Sequence, residues 1–130
     1  MQKWRLLNSL DNMETVKRKI HTIDAKTQKF GRLAVRIALL LRGKEKSEFA
    51  SHTDTGDFVS VKNIRQMEFS GKKAKQKSYY KHSGYLGSLK EKKLEKFFSD
   101  RPQEVLRKAV WGMMPKNKLR SKQINRLTIE

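Results

Sequence analysis

Residues 20–43 read IHTIDAKTQKFGRLAVRIALLLRG, and the change of period inside this stretch decides the fold. Ile20-His21-Thr22-Ile23-Asp24-Ala25 is a short β-prone run, and Lys26 to Gly31 follow as a loop. From Arg32 the period becomes 3.6. Leu33, Ala34, Ile37, Ala38, Leu40 and Leu41 fall on one side, with Arg32, Arg36 and Arg42 opposite or at its edge. The spacing predicts a helix over 32–42, with Gly43 as its C-terminal stop.

Working outward, Phe58–Asn63 reads as a second strand, and Met67–Ser70, closed by Gly71, as a weaker one. Strand, helix, strand with a long crossover favours a parallel βαβ unit. Leu94, Phe97 and Phe98 mark a short helix, and Pro102 suits the first position of the next. Val105, Leu106, Ala109, Val110 and Met113 give that helix its apolar face, which ends near Gly112 and Pro115. Arg126-Leu127-Thr128-Ile129 reads as a final strand. Residues 1–19, where Leu6, Leu7 and Leu10 can share one face of a helical turn, read as an appended arm. Residues 20–130 then form a single α/β domain with a basic loop in the middle and a basic C-terminal segment.

The formal net charge is +18 on 130 residues, and it is unevenly spread. Residues 71–93 hold eight lysines against Glu91 alone, and residues 116–126 hold five basic residues and no acid. Clustered cations with tyrosines and glycines between them suit a polyanion, because each phosphate contact releases condensed counterions. The chain has no cysteine, which excludes disulfides and thiolate metal ligands. The longest apolar run, Ile37–Leu41, is too short to cross a bilayer, so no membrane partner is expected. The N-terminus has no apolar signal core, and the cytosol is the expected location.

Four segments carry possible chemistry. Gly31 precedes a helix after a strand, where a phosphate loop would sit, yet neither GxGxxG nor GxxxxGK[ST] is present. A tight turn that lets the helix pack on the sheet explains it more simply. His52-Thr53-Asp54-Thr55-Gly56-Asp57 offers metal-ligand residue types, with His82 as a distant recruit, but turn chemistry accounts for Asp54, Thr55 and Gly56 at less cost. Arg42, Lys44 and Lys46 surround the negative end of the helix, a structural role that leaves phosphate contact open. Lys72, Lys73, Lys75, Lys77 and Lys81, interleaved with Tyr79, Tyr80, His82 and Tyr85, combine phosphate ligands with rings that can stack on unpaired bases. Further on, Trp111, Met113 and Met114 read as core, while Lys116, Lys118, Arg120 and Lys122 read as contacts.

Three function classes compete. A small nucleotide- or metal-dependent enzyme would use Gly31 and the 52–57 loop, but it lacks a phosphate motif or a full ligand set. A DNA-binding protein would show a recognition helix rich in Arg, Asn or Gln, whereas the helix at 32–42 is apolar and the cations sit in loops. An RNA-binding protein without catalytic activity fits best.

Several blocks occur in order: Asp24-Ala25, Gly31-Arg32-Leu33-Ala34, Leu40-Leu41-Arg42-Gly43-Lys44-Glu45-Lys46 and His52-Thr53-Asp54-Thr55-Gly56-Asp57. Gly71-Lys72-Lys73, Tyr79-Tyr80-Lys81-His82-Ser83-Gly84-Tyr85 and Gly112-Met113-Met114-Pro115-Lys116-Asn117 complete the series. Over residues 20–129 the chain resembles the large-subunit ribosomal protein L-thirteen family of bacteria and organelles. The resemblance implies a three-layer α/β/α domain around a short, mainly parallel sheet. It also implies binding to large-subunit ribosomal RNA beside neighbouring ribosomal proteins, in the cytoplasmic ribosome or its organellar counterpart, early in assembly. No cofactor, metal, small-molecule substrate or catalytic residue comes with it. The candidate RNA-binding set adds Arg32, Lys90 and Arg126 to Arg42, Lys44, Lys46 and the loop and tail residues named above.

Overall fold

The computed structural model describes residues 16–26 and 28–130. The expected face of Leu6, Leu7 and Leu10 lies outside the described residues. Of the arm, residues 17–19 are tied to the body: the Lys17 carbonyl accepts from Lys46 Nζ, Arg18 reaches Asp54, and the Lys19 N–H donates to Asp57.

Three parallel strands, β1 (Ile20–Asp24), β2 (Phe58–Lys62) and β5 (Leu127–Ile129), form a sheet in the order β1-β2-β5. Ile23 pairs with Val61 and Val59 with Leu127, so these side chains share one face. All four are buried, whereas Ile20, Thr22, Phe58, Lys62 and Thr128 on the other face are exposed. Among the described residues, the helices therefore meet the sheet from one side. The α/β class and the parallel sheet are as expected, but the second helical layer implied by the resemblance is not among those residues.

The main helix, α1 (Phe30–Arg42), starts two residues earlier than its spacing predicts and buries Leu33, Ala34, Ile37, Ala38, Leu40 and Leu41 as expected. Gly43 closes it at φ 72°, its N–H bonding to Leu40 and that of Lys44 to Leu39, the crossed pair of a Schellman cap. Beside it, α4 (Pro102–Met113) buries Val105, Leu106 and Val110, with Pro102 opening the helix as read. Each large aliphatic side chain in this core contributes about 1.5–3 kcal/mol when fully buried.

The structure departs from the reading in four further places. First, Met67–Ser70 makes no strand: Glu68 forms only an isolated bridge with Lys29. Asn63, at φ 58°, swings the chain out of β2 into a single 3₁₀ turn over Ile64–Gln66, and the Glu68 carbonyl instead accepts from the Phe30 N–H. Second, the lysine-rich loop is largely regular. It contains α2 (Lys73–Gln76) and an antiparallel hairpin of β3 (Ser78–Lys81) with β4 (Lys90–Lys93), which leads into α3 (Leu94–Asp100). Third, the basic tail winds into α5 (Leu119–Ile124), burying Gln123 and Ile124. Fourth, Met114 is buried as expected, but Trp111 and Met113 are 39% and 42% exposed. The apolar face of α4 runs through Val105, Leu106 and Val110 into Met114, which turns its neighbours outward.

Candidate functional site

The segment that most resembled a catalytic loop closes the end of α1. The Asp57 N–H donates to the Leu40 carbonyl at 3.1 Å, and Arg126 Nη2 donates to the Leu41 carbonyl at the same distance. These carbonyls have no partner within the helix, so loop and arginine complete its C-terminus and meet its negative dipole end. Gly56 passes so close that a Cβ there would lie 1.7 Å from the Leu41 carbonyl oxygen. The approach requires glycine.

Both carboxylates of the loop are committed. Asp54 accepts from Arg126 Nη1 and Nη2, each at 2.6 Å, with Arg18 at 3.8 Å. Burial would raise its pKa, but the hydrogen bonds and charge of Arg126, the charge of Arg18 and the Gly56 N–H together hold it below the ordinary value. Asp57 is buried and receives Lys46 Nζ at 2.5 Å, His21 Nε2 at 2.9 Å and the Lys19 N–H at 3.0 Å. Here too burial acts upward, and the donors outweigh it to give a pKa of about 2. An ionised carboxylate only accepts, so His21 Nε2 carries the proton. His52 is exposed and joins neither centre.

Two expected RNA ligands therefore belong to this lock. Lys46 spends its three N–H bonds on Asp57 and the carbonyls of Thr55 and Lys17. Arg126 is 8% exposed and faces inward. Arg42 is half-buried with its guanidinium 5.5 Å from the Phe49 ring, while Lys44 and Arg32 are open to solvent.

The remaining candidates stay on the surface. Lys72, Lys73, Lys75 and Lys77 surround α2, all exposed. In the hairpin, Lys81 stands directly opposite Lys90. Like charges at such a pair oppose the fold unless an anion lies between them. Tyr80 and Tyr85 are 62% and 78% exposed, as free rings for stacking would be. Tyr79 is not free: it is half-buried, meets Phe97 edge-on at 5.4 Å, and has Lys108 Nζ 4.6 Å from its ring centre. Burial pushes its hydroxyl pKa up. His82 Nδ1 accepts from the Gly84 N–H at 2.9 Å and so shapes the hairpin tip.

At the other end, Lys116, Lys118 and Lys122 are exposed. Arg120 stacks 3.9 Å above the exposed Trp111 ring and donates to the Trp111 carbonyl. The pair presents a cationic plane beside those lysines. Lys108 was missed in sequence: a lone lysine on the polar side of α4 carries no cluster signal, and only the fold brings it to Tyr79.

Matched against known families, residues 18–129 fit the one described as Ribosomal protein L13. The chain belongs to the ribosomal protein L13 family. Among similar members is the large ribosomal subunit protein uL13 of Nitratidesulfovibrio vulgaris, 47% identical over 116 residues that make up 89% of this chain and 81% of the relative. The uL13 proteins of Clostridioides difficile and Alteromonas mediterranea are 48% and 50% identical, over 88% and 82% of this chain and 80% and 75% of theirs. As an L13-family chain it has its fixed ionic lock at one end of α1 and its uncommitted cations on the hairpin and the α4–α5 corner.

Proposed function

We propose that this chain is a structural constituent of the large ribosomal subunit, without enzymatic activity, that binds and stabilises folded ribosomal RNA through phosphate contacts during early subunit assembly. One observation carries the reading beyond family membership. The candidate lysines at 72, 73, 75, 77, 81, 90, 116, 118 and 122 form no ion pair among the described residues. The cations that do pair include Lys46 and Arg126, which hold the fold together. Surface charge of one sign without internal counter-ions is complementary to an external polyanion. The partners are large-subunit ribosomal RNA and adjacent ribosomal proteins, and the location is the ribosome. Residues 20–130 act as the RNA-bound domain, with 1–19 as an arm.

Sedimentation of the native protein through a sucrose gradient tests this. It is expected to travel with large subunits and their precursors. A protein found only in the soluble fraction at moderate salt contradicts the proposal.

A further inference from the structure

Gly31 and Gly112 sit in two different helices, and neither is required by the chain that contains them. Neither has a positive φ, and a Cβ on either would meet nothing within 4 Å. Gly31 lies in the first turn of α1 and Gly112 in the last turn of α4, and nothing within the chain crowds either position, so internal packing gives no reason for either. Both line the same groove, of about 380 Å³, between the start of α1 and the end of α4. That volume lies within the ~300–1,000 Å³ of sites that take small ligands.

The walls of the groove define what fits. Phe30 and Phe69, with ring centres 5.1 Å apart, line it together with Tyr79 and the buried Leu94. Lys73, Lys77 and Lys108 also line it, no carboxylate does, and none of the three forms an ion pair among the described residues. An occupant with a flat apolar body and a negative charge matches an aromatic slot with a cationic rim.

We infer that this groove takes one unstacked nucleotide of the bound RNA, its base against the Phe30–Phe69 surface and its phosphate on Lys73, Lys77 and Lys108, two of which already lie over the Tyr79 ring. The two glycines keep the slot open. The inference rests on the RNA-binding reading and adds a base-inserting site to phosphate contacts spread over the surface.

Full-length protein bound to large-subunit ribosomal RNA transcribed in vitro is the test system, with ultraviolet crosslinking, peptide–nucleotide mass spectrometry and filter binding as readouts. A crosslink from Phe69 or Tyr79 to a single nucleotide is expected. The Gly31→Leu/Gly112→Leu variant fills the groove and should melt no lower than wild type. Its affinity should fall about tenfold, a loss that persists at high salt, where phosphate contacts fade. Should the double variant melt low, Lys108→Gln removes one exposed charge and its contact with the Tyr79 ring but no core side chain, and should weaken the same crosslink. Wild-type affinity in the filled variant, or crosslinks confined to the hairpin tip and tail, would overturn the inference while leaving RNA binding intact. Wild-type protein with no affinity for the RNA would overturn both.

Discussion

Arg126 reaches back 72 residues to grip Asp54 through two hydrogen bonds of 2.6 Å, and the same guanidinium caps Leu41 at the end of α1. One side chain thus joins the last strand, the loop before β2 and the first helix. Its charge belongs to the interior of the fold, although it lies in the basic tail.

Arg126→Ala should destabilise the protein by about 3–5 kcal/mol, because it leaves Asp54 poorly paired in a half-buried site. Arg126→Lys should recover only part, since an ammonium cannot bind both carboxylate oxygens and Leu41 in the same geometry. Denaturant titration measures both. RNA affinity per folded molecule is expected to stay at the wild-type level, and a selective loss of binding would return Arg126 to the interface.

Acid should weaken the lock at Asp57. Its folded pKa of about 2 lies below the ordinary 3.8, so its stabilisation is present above that value and lost as pH falls from about 4 to about 2. The size is about 2 kcal/mol. Unfolding of wild type and Asp57→Asn at pH 7, 4 and 2.5 should show the wild type losing its advantage over that window. Parallel curves would contradict the assignment.

Gly56→Ala should fail to fold stably, because the new Cβ would lie 1.7 Å from a backbone oxygen that α1 cannot move cheaply. Gly43→Ala meets the Thr55 carbonyl oxygen at 2.7 Å and adds left-handed backbone strain of about 1–2 kcal/mol. Thermal melts should rank Gly56→Ala as the more damaging. A Gly56→Ala protein that melts like wild type would refute the close approach.

The hairpin separates charge from packing. Replacing Lys72, Lys73, Lys75 and Lys77 with glutamine should leave the melting temperature unchanged but reduce the salt dependence of RNA binding by about three units of slope. Tyr79→Ala should lower stability by about 1–3 kcal/mol, because its ring packs on Phe97. Tyr80→Ala should leave stability alone and reduce affinity even at high salt. A quadruple variant with the wild-type slope would make this segment a merely solvated face.

Regular elements with an apolar period were readable from residue types. The face from Leu33 to Leu41 and the strands around Ile23 and Val59 have one chemical reason for each position. The hairpin of Ser78–Lys81 with Lys90–Lys93 was not readable, because four of its eight strand residues are lysines that hide any alternation, and the half-buried pair of Tyr79 with Lys92 sets one ring against a charged residue type. At the site, composition located the cations but could not sort them. Lys46 and Lys44 look alike in sequence; what divides them is whether a carboxylate 11 residues along folds back within reach, as Asp57 does for Lys46.

The strand order has a consequence for synthesis. β2 needs a neighbour on each side, and the one supplied by Leu127–Ile129 leaves the ribosome after every segment it closes upon. Until then Val59 and Leu41 lack part of their cover, and Asp54 lacks its arginine. A nascent chain must therefore carry an open sheet edge and an unfinished helix end through most of its translation, a state prone to pairing with other chains. A chain halted before Arg126 would stay in that state and be an early target for chaperones and proteases.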